Sequence, residues 1–326
     1  MENFRWGILS TGGIAGAFAR DLSLLAGHSV AAVGSRALPT AELFASEFPG
    51  CAAYGSYEAL VRDMTLDAIY VATPHPFHLA NTLLALHAGK PVLCEKPFAI
   101  NSAQAKLMVD TAHSSKLALM EAMKTRFLPH IHQVREILAS GILGEIHLVQ
   151  ADHGQRLEIL KIPRIILPEL AGGALLDLAV YPISLAHLVL GVPTKITATS
   201  SFITTGVDGQ TSAILDYPSG AQAVLTANMI VRTPCAATIN GSLGRIEIDR
   251  TFYNPTTFRV ILNDGSVTEY PSNYEGHGLR EQASEFARVV RAGLIESPYL
   301  THEETLQIMK SMDEIRRQIH LTYPFE

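Results

Sequence analysis

The stretch FRWGILSTGGIAG, residues 4–16, decides the fold. An apolar run from Phe4 to Ser10 stops at Thr11-Gly12-Gly13, and a helical pattern follows. A strand that turns through glycine into a helix is the opening of a dinucleotide-binding βαβ unit. Glycine lets the backbone approach a pyrophosphate, and the helix start offers amide hydrogens with partial positive charge. Ser10, Gly12, Gly13, Ile14 and Ala15 are therefore candidate cofactor contacts, with Ser10 standing where the G-x-G-x-x-G spacing has its first glycine.

Outward from this unit, the runs Val30 to Ser35, Ala68 to Thr73, Pro91 to Glu95 and Leu117 to Ala122 are continuously apolar rather than alternating. That pattern suits strands of a parallel sheet buried on both faces. Ser56, Asn101 and Ser102 open helices between them, and Gly89 closes another. After residue 122 the style changes. Helices are expected near 128–139 and 174–190, then strands near 194–204, 210–217, 221–230, 235–240, 244–249 and 257–262, and two closing helices near 279–292 and 302–319. Turn signals at Tyr217-Pro-Ser-Gly220 and Asn263-Asp-Gly265 make those strands antiparallel neighbours. The expectation is an α/β chain: a doubly wound Rossmann domain over 1–122, then an α/β domain with an open, mainly antiparallel sheet over 123–326.

Composition narrows the function. A chain of 326 residues, 48% hydrophobic and 17% charged, buries a large core and favours two domains. A net charge of −6 argues against a broad nucleic-acid surface, which needs a basic stripe. Cys51, Cys94 and Cys235 match no metal-ligand spacing, so reduced thiols and no metal site are expected. The start MENFRWGILSTGG does not read as a signal peptide, and no apolar run approaches the roughly 20 residues of a membrane span. The chain reads as cytoplasmic, with no membrane partner.

The remaining motifs lie where strands end. Gly34-Ser35-Arg36 closes the second strand, where an NAD enzyme places an acid for the ribose hydroxyls. A small hydroxyl and a guanidinium suit a 2′-phosphate instead, favouring NADP with NAD as the alternative. Thr73-Pro74-His75-Pro-Phe-His78 follows the next strand, so His75 can face nicotinamide or substrate. His78 joins Thr73, Pro74 and His75 as a candidate cofactor contact, with a packed or capping residue as its alternative, and no third ligand makes the two histidines a metal pair. In VLCEKP, Glu95, Lys96 and Pro97 sit at another strand end, and proline keeps Lys96 extended. In GGALLDLAVYP, Asp177 and Tyr181 are four apart, on one face of a regular helix. Read singly, Arg36 suits a solvated loop, Lys96 a surface position, and Asp177 with Tyr181 a buried polar pair. A lysine cation beside a tyrosine, however, stabilises the phenolate and lets it act as a base.

The turn after RWGILS, then TPHPFH, AGKPVLCEKP, MEAMKTRF and GGALLDLAVYP, in this order and at these intervals, resembles the Gfo/Idh/MocA oxidoreductases. The likeness is strongest to the branch of dimeric dihydrodiol dehydrogenase and NADP-dependent D-xylose dehydrogenase. The resemblance implies Lys96 as the catalytic lysine, a cis Lys96-Pro97 peptide, Asp177 as a substrate or cofactor contact, and Tyr181 as general acid or base. It also implies Lys124 and Arg126 beside the substrate and an oligomer formed through the second sheet, as homodimer or homotetramer. Departures fall at Ser10, at Ala179 where glycine is common, at Lys124 where animal dihydrodiol dehydrogenases resemble tryptophan, and along Gln155 to Leu170. The expected activity is hydride transfer between NADP and a secondary hydroxyl of a small cyclic polyol, sugar or dihydrodiol. The alternatives are a dinucleotide-binding sensor, or an enzyme that uses a tightly bound NAD(P) transiently in sugar conversion.

Overall fold

The computed structural model describes residues 3–157 and 162–326, and the chain divides into two compact units. The first unit, Met1–Phe127 with Gly276–Thr305, is built on six parallel strands. These are β1 (Phe4–Leu9), β2 (His28–Gly34), β3 (Ala52–Tyr54), β4 (Ala68–Val71), β5 (Val92–Glu95) and β6 (Leu119–Ala122), in the order β3-β2-β1-β4-β5-β6. This is the doubly wound order, whose direction reverses between β1 and β4. Residues of β4, β5 and β6 are buried throughout, as the continuous apolar runs require. Only β3, three residues long and partly exposed at the sheet edge, escaped the sequence reading, since it buries too little to leave a pattern. The capping signals are real: Ser56 accepts from the Ala59 amide at 3.1 Å, Asn101 from the Gln104 amide at 2.9 Å, and Gly89 takes φ +77°.

The unit boundary differs from the expected break at 122/123, because the segment 276–305 returns to the first unit. A single carboxylate explains much of that return. Asp21, on the helix Gly13–Leu22, accepts the backbone amides of His277 at 3.1 Å and Leu279 at 2.8 Å, and so caps the helix Leu279–Arg291. Phe286 of that helix then packs against Trp6.

The second unit, Leu128–Glu275 with Leu306–Glu326, holds an eight-stranded sheet. Its strands are β7 (Ile146–Gly154), β8 (Lys195–Phe202), β9 (Asp208–Asp216), β10 (Gln222–Asn228), β11 (Ala237–Gly241), β12 (Gly244–Ile248), β13 (Phe258–Leu262) and β14 (Val267–Tyr270). Their order is β14-β13-β12-β11-β7-β10-β9-β8. The sheet is mainly antiparallel, with β7 and β10 as its one parallel pair among the described residues. The central strand β7 was not anticipated: no short turn joins it to a partner, so it lacks a hairpin signature. In β9, buried Thr211, Ala213 and Leu215 alternate with more exposed Gln210, Ser212, Ile214 and Asp216, so one face is packed and the other open.

The segment Pro168–Leu190 reverses one expectation, being long and apolar enough, at mean hydropathy 1.7, to span a membrane. Yet 78% of its most apolar window is buried within the protein, so packing on the sheet accounts for its character.

Candidate active site

In the first unit, five strand ends deliver the candidate residues to one edge of the sheet. At the end of β1, Ser10 takes φ +111°, a conformation that belongs to glycine. Its hydroxyl accepts the Gly12 amide at 3.3 Å. The helix Gly13–Leu22 has no side-chain cap and no acid in its first turn, and Cβ atoms built on Gly12 or Gly13 would meet no atom closer than 3.7 Å. Ile14 is 40% exposed, while Ala15 is buried against the sheet. An open turn with first-turn amides presented outward fits a pyrophosphate.

At the end of β2, Ser35 is buried and its amide donates to the Tyr54 carbonyl at 3.0 Å, while Arg36 is exposed beside Tyr57. An exposed guanidinium at a strand end fits a 2′-phosphate better than it fits a core role.

The end of β4 is laced to the end of β5. Thr73 is buried and its hydroxyl accepts the Asn81 amide at 3.1 Å. Pro74 leads into a turn on which His75 is buried, 5.8 Å from the His78 ring between centroids. His78 has Nδ1 2.9 Å from the Pro97 carbonyl and Nε2 2.8 Å from the Thr73 carbonyl. Burial holds its pKa down against those two carbonyls. Its place among the cofactor contacts is therefore corrected: both ring nitrogens are engaged by backbone, and His78 joins the two loops rather than touching a ligand.

Lys96-Pro97 is a cis peptide. Behind it, Glu95 accepts from the Tyr70 hydroxyl and from the Lys96 amide, the latter at 3.2 Å. Burial pushes the Glu95 carboxyl up, while Tyr70, the Lys96 ammonium and the Lys124 ammonium oppose the shift. Lys124 opens the turn after β6 and donates to the His277 carbonyl at 3.1 Å. Burial brings its pKa down to about 8, with Glu95 resisting and Lys96 adding to the fall. Two ammonium groups thus share the field of one buried carboxylate.

Arg126 is a second correction. It is fully buried and its Nη1 donates to Glu304 at 2.6 Å, with Glu121 adding to the field, so it is an internal ion pair and not a substrate contact. Its partner lies 178 residues away, beyond any local pattern.

In the second unit, the helix bearing Asp177 and Tyr181 is irregular: Leu175–Ala179 winds as a π turn before the α-helix Val180–Leu190. Pro182 supplies a cause. Lacking an N–H, it gives nothing to the Leu178 carbonyl four residues back and crowds it. That carbonyl accepts instead from His153 Nδ1 at 3.1 Å. His153 Nε2 lies 2.8 Å from the Gln155 amide nitrogen, which also donates to the Tyr253 hydroxyl at 3.0 Å. Because an amide NH2 can only donate, Nε2 is the acceptor and the proton resides on Nδ1. Tyr181 is buried, with its ring centroid 5.2 Å from His153 and 4.9 Å from Tyr253. Asp177 is buried and receives the Arg164 guanidinium at 3.2 Å. The equal-face spacing expected of a regular helix is modified here, since Asp177 lies inside the wider turn. His153, Tyr253 and Arg164 were missed by the sequence reading. Arg164 and Gln155 fall within the divergent stretch 155–170, of which 158–161 lie outside the described residues.

Comparison with known proteins agrees with both halves. Residues 4–123 match the oxidoreductase family with an NAD-binding Rossmann fold, and residues 131–247 match the GFO/IDH/MocA C-terminal domain. The NADP-dependent D-xylose 1-dehydrogenase of Hypocrea jecorina is 37% identical, over 98% of this chain and 93% of that protein. The trans-1,2-dihydrobenzene-1,2-diol dehydrogenase of Sus scrofa is 37% identical over 98% of both chains. Among solved structures, a 3-ketoreductase from Actinomadura kijaniata in complex with NADP and TDP-benzene superposes with a TM-score of 0.87 at 28% identity, covering 98% of each chain.

Proposed function

The chain belongs to the Gfo/Idh/MocA oxidoreductase family, and on that premise we propose that it is an NADP-dependent oxidoreductase acting on a secondary hydroxyl, or the matching carbonyl, of a small sugar, cyclic polyol or dihydrodiol. The observation that carries the reading is the strand-end edge of the parallel sheet. There an open glycine turn, an exposed arginine and a lysine in the field of a buried carboxylate occur together. NADP, when bound, supplies or accepts the hydride. The amides of Gly12, Gly13, Ile14 and Ala15 take the pyrophosphate, and Ser35 with Arg36 takes the 2′-phosphate. Thr73, Pro74 and His75 form the adjoining wall.

Lys96 holds the substrate oxygen and favours its deprotonated form. Tyr181 takes the hydroxyl proton in oxidation and returns it in reduction, and Asp177 orients a neighbouring hydroxyl. Lys124 adds a second donor suited to a hydroxyl-rich substrate, where an aromatic ring would favour a flat one. Self-association through the open face of the eight-stranded sheet, where Ile214 is 41% exposed, belongs to the same reading and is checked by light scattering.

The test is a panel of initial rates with D-xylose, D-glucose, myo-inositol and trans-1,2-cyclohexanediol, each with NADP and with NAD. Faster turnover of at least one sugar or polyol with NADP is expected. No nucleotide reduction with any of them, by folded protein that binds NADPH, would dismiss the reading.

A further inference from the structure

The paired glycines before the Tyr181 helix have a use that cofactor or substrate binding does not explain. Asp208, the first residue of β9, is fully buried at the start of this helix. Its Oδ2 accepts the Leu175 amide at 2.7 Å and the Thr211 hydroxyl at 2.7 Å. A side chain at Gly173, which takes φ +118°, would overlap the other oxygen, Oδ1. One at Gly172 would overlap the Ile165 carbonyl, to which the Gly173 amide donates at 2.9 Å. Tyr323 completes the clasp by donating to the Gly172 carbonyl at 3.1 Å. The glycines therefore admit a carboxylate from a neighbouring strand to the helix backbone.

This contact falls where the helix is least able to fix its own register. The π turn begins at Leu175, the residue whose amide Asp208 takes, and Pro182 removes a backbone bond at the far end. A slip of one residue would swing Tyr181 by about 100° around the axis. We propose that Asp208 is a positioning residue: accepting the Leu175 amide, it fixes the register of the π turn and so the direction of Asp177 and Tyr181. This rests on the reading that those two side chains serve the substrate.

The experiment compares Asp208→Ala, Asp208→Asn and Thr211→Val, using the fastest substrate of the panel above. Rates are taken per folded molecule, and NADPH affinity is read by fluorescence. Misplacement on the order of an ångström costs about 100-fold, so Asp208→Ala should lose about that much kcat with NADPH affinity unchanged. The amide oxygen of Asn keeps the acceptor, so Asp208→Asn should recover to within about fivefold of the native kcat. Thr211→Val, which leaves the Leu175 contact in place, should lower kcat by only about two- to fivefold. Wild-type kcat in folded Asp208→Ala overturns the proposal, as does an Asn variant no better than Ala. If Asp208→Ala does not fold, Thr211→Val decides, and native kcat there overturns the proposal. Full turnover by Tyr181→Phe would remove the reading of the site itself. Loss in Tyr181→Phe beside normal rates in the Asp208 variants sinks only the positioning role.

Discussion

The ligand edge of the parallel sheet and the helix that carries Tyr181 both hold polar groups in place, by opposite means. At the sheet edge each group follows directly from its own strand, and local backbone does most of the positioning: Ser10 after β1, Ser35 after β2, Thr73 after β4, Lys96 after β5. Along the Tyr181 helix the backbone is interrupted, and side chains remote in sequence supply what it lacks. Asp208 holds one end and His153 takes the carbonyl that Pro182 leaves. The first arrangement is robust to change away from its loops. The second depends on contacts that a single substitution removes.

The comparison breaks first if either chemical group is dispensable. A positioned proton-transfer residue is worth about 100- to 10,000-fold, so Tyr181→Phe should lose turnover on that scale while binding NADPH normally. Lys96→Ala should lose at least as much, and the double variant should fall by far less than the product of the two losses. Additive losses would show that the two side chains act independently. The next largest effect concerns stability: Arg126→Ala removes the guanidinium beside the buried Glu121 and the partner of the half-buried Glu304, and should cost about 1–3 kcal/mol in denaturant unfolding. A neutral outcome would return Arg126 to the substrate.

Arg36→Asp swaps attraction for repulsion toward a 2′-phosphate, and should lower the NADP-to-NAD ratio of kcat/KM by about 10-fold or more. An unmoved ratio would dismiss it as the discriminator. Acid–base behaviour gives a smaller signal. Burial raises both Asp208 and Glu121 to about 7, so the native state holds protons that the unfolded chain has shed. Their contribution is complete below the unfolded carboxyl range and disappears as pH rises through 7. His28 and His130, pushed down to about 4, act in the opposite sense only below their ordinary 6.5. Between pH 6.5 and 7.5 the unfolding free energy should therefore fall, by less than about 1.4 kcal/mol per pH unit for each carboxyl, read as a declining melting temperature, and Glu121→Gln should flatten the slope. Smallest of all, Ser10→Gly relieves a left-handed serine of about 1 kcal/mol of strain; a lower melting temperature would mean the hydroxyl contact to Gly12 outweighs it.

The contrast also explains what was legible beforehand. The strands β1, β2, β4, β5 and β6, the glycine turn, the caps at Ser56 and Asn101 and the placing of Lys96 are local events, written in a few adjacent residues. Asp177 and Tyr181 were visible because both lie in one string. Arg126, His78, His153 and Asp208 were misread or missed, since each role is fixed by a partner or a neighbouring loop that sequence spacing does not reveal. The helix 279–291 was expected, but its attachment was not, because Asp21 caps it across 258 residues. The π turn was hidden for a related reason: Pro182 marks a disturbance, but only the fold shows which carbonyl it releases and what receives it.

The position of β7 has a kinetic consequence. It is the earliest strand of its sheet in the chain, yet it sits in the middle, with Val149 opposite Ala223 on one side and Ile239 on the other. Neither wing can be completed until segments more than seventy residues apart have met, and closing such loops precedes the reward of pairing. During synthesis this strand waits unpaired until β10 is made, and the parallel sheet of the first unit, whose last strand ends at Ala122, can assemble in that interval.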